Sequence, residues 1–289
     1  MTVGLVESVA IVTLNLCTII VFMGNRKLRR RSTYLMINLA VTDFLVGGAG
    51  VYVLFYWFGV ICEVWKGPLN EHLIEFIVTR LLIVFPGISV LNIAIIALER
   101  AYATFRPLRH RVLKKWVYGL IITCLWVCMA SATSVSISYL STSEDGGLDL
   151  YLKIVFCLFV LLIICVSYTS IVIKVRCGAQ PQHHGAASRE RKLTMTLLIV
   201  TVVSLVLYLP HVIINYVLLI SKFEILQSFS FSVAYHLESA IYFLYFANSF
   251  VNPILYAMRM PEYRSALLAL FRKRTRQQRE DAVFNLRAM

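Results

Sequence analysis

Apolar residues along this chain collect into long, nearly unbroken runs separated by short polar segments. The runs lie at 3–23, 33–58, 73–98, 117–140, 150–173, 193–220 and 233–257. A hydrocarbon core about 30 Å thick takes roughly 20 residues of α-helix. The second, third and sixth runs are long enough to tilt or to extend past the lipid. The pattern predicts an all-α membrane protein, a bundle of seven transmembrane helices. After the seventh run Pro261 restarts a helix over 261–272. Its Tyr263, Leu267, Leu270 and Phe271 recur at helical spacing opposite a basic face, which suits a short amphipathic eighth helix on the inner membrane surface. Residues 1–260 read as one transmembrane domain and 273–289 as a basic cytoplasmic tail, with no repeat and no second domain.

Composition agrees. Apolar residues make up 59% and charged residues 15%, with a mean hydropathy of +0.76. A soluble domain is nearer half apolar and a quarter charged, and one this apolar would expose large sticky patches. The net charge of +13 resembles a nucleic-acid signal until its distribution is read. The cations cluster at 26–31, 106–115, 189–192 and 272–279, between apolar runs rather than on a soluble module. Membrane lipids and a cytoplasmic partner are the implied contacts, not nucleic acid. Of 28 Lys and Arg residues, only Lys66, Arg80, Lys153 and Lys222 fall on one side of the membrane. By the positive-inside rule that side is outside, so the N-terminus is extracellular and the tail cytoplasmic. The first span is expected to be a retained signal-anchor. No Asn-x-Ser/Thr sequon occurs, which leaves a longer ectodomain open. Only Cys62 lies near the outer surface, so no extracellular intrachain disulfide is expected.

Polar groups inside the apolar runs need a reason, because an ionisable residue at mid-membrane costs about 2.5–3.5 kcal/mol on insertion scales. Asp43 lies about ten residues into the second run. Asn15, Ser89, Asn248, Ser249 and Asn252 lie at comparable depth in the first, third and seventh. Two readings stand: a hydrated cation site, or a polar network that holds helices together. At the inner rim Glu99-Arg100 ends the third run, and Pro253 near the end of the seventh permits a bend.

These residues resemble those of a rhodopsin-like (class A) G-protein-coupled receptor over nearly the whole chain. Asn15, Leu39-Ala40-Val41-Thr42-Asp43, Glu99-Arg100-Ala101, Pro107, Trp126, Tyr168, Pro210 and Asn252-Pro253-Ile254-Leu255-Tyr256 occur in the family's order. The resemblance implies that the chain binds an extracellular ligand between its helices. An outward swing of the sixth helix would then activate a heterotrimeric G protein at the plasma membrane. It assigns the switch to Glu99, Arg100, Glu190, Tyr168, Asn252, Pro253 and Tyr256, with Arg100 bridging Glu190 at rest. It maps Asp43, Ser89, Asn248, Ser249 and Asn252 onto an allosteric sodium site; no other cofactor is implied. There are departures from the pattern. Leu14 replaces a glycine, Ala101 the motif tyrosine, Glu75 the third-helix cysteine and Val160 the fifth-helix proline, while Tyr208 and Ser204 replace a tryptophan and a phenylalanine. The missing cysteine and proline give a tendency towards melanocortin, cannabinoid and lysophospholipid receptors.

The implied pocket is lined by Leu82, Ile83, Pro86, Leu152, His211, Asn215, Glu238 and Tyr242. Leu82 stands where amine receptors carry aspartate, and Phe246 where opsins carry the retinal lysine, so neither ligand is expected. Apolar walls suit a lipid or small molecule, whereas the acidic rim of Glu71, Glu75, Asp145, Asp149 and Glu238 suits a cationic peptide. Both remain open, and His211 has a helix-packing alternative. A transporter would show repeated halves and a channel a filter or ring of charges; neither is visible. Enzyme chemistry lacks a nucleophile–base or metal set, and His183-His184 reads as solvated loop. The rival of the same fold is a non-coupling decoy or scaffold receptor, suggested by Ala101 and Tyr208.

Overall fold

The computed structural model describes residues 2–28, 31–62, 71–142, 147–177, 186–220 and 230–272. They form seven long helices: Thr2–Gly24, Thr33–Ile61, Glu71–Phe105, Lys115–Thr142, Gly147–Cys177, Ala186–Ile220 and Phe231–Arg259. We number these as the first to seventh spans. A single short helix, Pro107–Val112, follows the third, a 3₁₀ turn Arg26–Leu28 follows the first, and 261–272 is helical after Met260. Among the described residues there is no strand. Helix is what such runs must adopt in lipid, where every backbone N–H and C=O has to be satisfied within its own segment.

Six of the seven have the length and apolarity to cross a membrane. The exception is the seventh, Phe231–Arg259, which is long enough at 29 residues. Ser232, His236, Glu238, Ser239, Asn248, Ser249 and Asn252 dilute its apolar run. Of these, Asn248, Ser249 and Asn252 are buried where the seventh packs against its neighbours, the first, second, third and sixth spans, whereas Ser232, His236 and Ser239 nearer its start are exposed.

The spans close into a ring in the order first, second, third, fifth, sixth, seventh, with the fourth packed outside the third. The third is the axial element. Ile88, Ser89, Val90, Asn92, Ile93, Ala94, Ile96, Ala97 and Arg100 along it are all buried. Close approach of the first and second spans depends on small residues. A Cβ on Gly47 would sit 2.9 Å from the Ser8 backbone oxygen and 2.8 Å from Ile11 Cγ2, and one on Gly50 would sit 2.5 Å from Ser8 Oγ. Asn92 Nδ2 donates to the Leu35 carbonyl (3.0 Å) and Trp126 Nε1 to Asn38 Oδ1 (3.0 Å), tying the third and fourth spans to the second.

Residues 261–272 are held under the first span. The Tyr263 hydroxyl lies 2.8 Å from Thr18 Oγ1, and its ring packs 5.3 Å from that of Phe22 and 6.0 Å from that of Tyr256. Burial raises the Tyr263 hydroxyl above the ordinary phenol range, so it stays protonated.

Candidate functional site

Asp43 is fully buried at the centre of the bundle. Ser89 Oγ (2.6 Å) and Ser249 Oγ (2.8 Å) donate to its Oδ1, and Asn252 Nδ2 donates to Oδ2 (2.8 Å). Asn15 Nδ2 bridges the Ile11 and Ser249 carbonyls at 3.0 and 2.9 Å, so the first span fixes the serine-bearing turn of the seventh. Four helices thus converge on one carboxylate, and every donor is neutral. Among the described residues no cationic side chain reaches it. A carboxylate shut away from water costs several kcal/mol even after partial hydrogen bonding. Either a cation beside it or a proton on it relieves that cost. Asn248 and Asn252 each leave a buried Oδ1 without a hydrogen-bond partner, so oxygen acceptors remain over. Hard cations prefer such oxygen ligands.

A second cluster closes the C-terminal end of the third span. Arg100 is fully buried and clasps Glu99, with Nε to Oε2 at 2.5 Å and Nη2 to Oε1 at 2.6 Å. Its Nη2 also donates to Ser32 Oγ. Glu99 Oε1 in turn accepts from Ser32 Oγ (2.9 Å), His110 Nε2 (2.6 Å) and the Tyr118 hydroxyl (3.2 Å). Arg31 Nη1 caps the short Pro107–Val112 helix by donating to the His110 and Arg111 carbonyls. The guanidinium is therefore held by Glu99 and by Ser32 just before the second span, and Glu99 in turn by the loop helix and the fourth span. Sequence reading paired Arg100 with Glu190; the Glu190 side chain lies outside the described residues. Ser32, His110, Tyr118 and Arg31 were not legible as partners, since only tertiary packing brings them to Glu99.

Behind Arg100, the Tyr168 hydroxyl lies 3.0 Å from Thr201 Oγ1, joining the fifth and sixth spans. Tyr256 is buried against Phe22, edge to face at 5.9 Å, and its hydroxyl has no hydrogen-bond partner. A buried hydroxyl left unpaired favours any rearrangement that supplies a partner. Pro253 is buried within the seventh helix one turn from that ring.

Towards the other end, His211 stacks on Tyr245 at 4.2 Å, with Tyr242 at 5.9 Å and Tyr208 at 6.1 Å. Tyr208 also lies 5.4 Å from Tyr245, and its hydroxyl is 3.1 Å from Cys157 Sγ. His211 and Tyr242 are thus brought together. Asn215 spends its amide on the His211 carbonyl (2.6 Å), within its own helix. Pro86 is buried in the third helix, which continues through it. Leu152 is 50% exposed on the outward side of the fifth span and does not join His211. The side chains of Leu82, Ile83 and Glu238 lie outside the described residues, as do those of the other acidic rim residues, Glu71, Glu75, Asp145 and Asp149. Six cysteines, Cys62 among them, are free thiols.

The sequence matches the profile of the family described as 7 transmembrane receptor (rhodopsin family) over residues 14–256. The histamine H2 receptor of Canis lupus familiaris is 27% identical over 282 residues, covering 86% of this chain and 73% of that receptor. The blue-sensitive opsin of Oryzias latipes is 24% identical, covering 70% of this chain and 62% of the opsin. The neuromedin-K receptor of Mus musculus is 25% identical, covering 93% of this chain and 62% of that receptor.

Proposed function

Because the chain belongs to the rhodopsin family of seven-transmembrane receptors, we propose that it binds an extracellular ligand between its outer helix ends and activates a heterotrimeric G protein by outward movement of the sixth span. The family is one of multi-pass membrane receptors, not enzymes. The observation that carries the reading is Arg100, a fully buried guanidinium at the inner end of the axial helix, held by Glu99 and Ser32. A buried charge with a releasable partner set is a two-state element, and a ligand with different affinity for the two states shifts their balance.

At rest Glu99, Ser32, His110 and Tyr118 hold the arginine and the second loop against the bundle, and Glu190 supplies a further contact from the sixth span. On activation the sixth span swings outward, Tyr168 exchanges Thr201 for a new partner, and Tyr256 moves in behind Arg100 about the bend at Asn252-Pro253. Leu108 and Val112, both 76% exposed on the loop helix, present apolar side chains beside that opening. The G protein docks there. The N-terminus is outside and the tail inside, with 261–272 an amphipathic eighth helix along the inner membrane surface.

Sodium fits the Asp43 site by the chemistry of its donors: one carboxylate, the Ser89 and Ser249 hydroxyls, and the spare Oδ1 atoms of Asn248 and Asn252. When bound, the ion supplies the positive charge that the four converging helices lack, and so favours the resting arrangement.

Nucleotide exchange on a panel of co-expressed G-protein subtypes tests the reading. At least one subtype should exchange faster with the receptor than without it. A well-expressed chain that accelerates none would assign it to a decoy or scaffold instead.

A further inference from the structure

The fifth span turns Tyr151, Leu152, Val155, Leu158, Phe159 and Leu162 outward and buries Ile154, Cys157, Val160 and Ile164 on its other side. At 3.6 residues per turn, Lys153 falls in the middle of that inward side, one turn nearer the outer end than Cys157. Its side chain is half-buried. Cys157 meets the Tyr208 hydroxyl of the sixth span, and His211 lies one turn outward of Tyr208. Lys153 and His211 therefore occupy matching heights on facing helices. Lys153 lies near the outer end of its span, at the height of an imidazole packed among the rings of Tyr208, Tyr242 and Tyr245.

An ammonium offers three donors, and its bonds to a carboxylate or phosphate are among the stronger ones in proteins. The imidazole N–H and tyrosine hydroxyls add neutral donors, while the ring faces offer apolar surface. The same charge repels a cationic ligand. We propose that Lys153 and His211 hold the anionic head of an amphiphilic ligand, a long-chain carboxylate or phosphate monoester, within the tyrosine ring. This rests on the receptor reading only in placing the ligand between the outer helix ends.

Saturation binding to the purified full chain in zwitterionic-lipid nanodiscs tests it, with tritiated oleate, tritiated oleoyl lysophosphatidate and uncharged tritiated monoolein as probes. At least one anion should bind saturably and monoolein should not; which anion binds tells carboxylate from phosphate. Lys153→Met should weaken binding at least about tenfold, while Lys153→Arg stays within about threefold. His211→Gln should cost several-fold. Asp149, one turn earlier on the same helix, would compete with the ligand for the ammonium, so Asp149→Asn should bind as well or better. Four results would overturn the proposal: equal monoolein binding, unchanged affinity in Lys153→Met, an Asp149→Asn loss as large as that of Lys153→Met, or no saturable binding of either anion to a chain with a cooperative melt. Binding is read without a G protein, so its failure is separable from a failure to couple, which basal nucleotide exchange reports.

Discussion

Asp43 shows how a single residue dictates its surroundings. The third and seventh spans supply it with donors because a lone carboxylate in lipid has no other way to be accommodated, and its donors are all neutral. If sodium balances that charge, replacing sodium by N-methylglucamine should raise basal nucleotide exchange in the wild type. Asp43→Asn should exchange at one rate in both salts. Equal wild-type rates in the two salts would make the carboxylate a structural polar group only. Glu190 belongs to the same scale. A rim ion pair is worth about 1 kcal/mol or less, so Glu190→Ala should raise basal exchange by at most about fivefold at equal surface expression. An unchanged or lower rate would remove Glu190 from the switch. The Asp43 cluster was legible in the sequence because each member is a polar residue inside an apolar run. The Glu99 partners were not, since Ser32 and His110 lie in segments where polar residues are ordinary. Lys153 was missed for a geometric reason: it and Leu152 differ by one residue, and only the rotational setting of the helix separates inward from outward.

Elements follow from the same physics at a larger length. The apolar runs located the helices, but their packing depends on a few small or polar side chains. Gly47 is such a position, because a side chain there meets the Ser8 backbone and not a movable terminus. Gly47→Leu should part the first and second spans and strongly lower the yield of folded protein, read by the fluorescence-detected melt; a wild-type melt would show the contact is dispensable. Residues 261–272 depend on one buried hydrogen bond and an aromatic contact. Tyr263→Phe keeps the ring and removes the bond to Thr18, so it should cost about 1 kcal/mol. A melting temperature as high as the wild type would assign the anchoring to the ring alone. Hydropathy gives less warning of the seventh span, whose polar residues dilute its apolar run, than of the other six.

For the molecule as a whole, the other spans pack with the third into one bundle, closed at the end where Arg100 lies. At the opposite end the sequence lacks the family's usual disulfide, with Glu75 in the cysteine position and Cys62 a free thiol. Signalling should therefore persist in mild reductant; loss that reverses on reoxidation would reveal a disulfide. In the proposed mechanism, G-protein activation goes with an outward swing of the sixth span released from Arg100. Spin labels at the inner ends of the third and sixth spans, on the purified chain in nanodiscs, measure that swing by pulsed electron resonance. A longer distance population should appear when nucleotide-free heterotrimer is added, and should be absent in Arg100→Ala, which should couple poorly. A single unchanged distance in a wild-type chain that is demonstrably accelerating nucleotide exchange would contradict it.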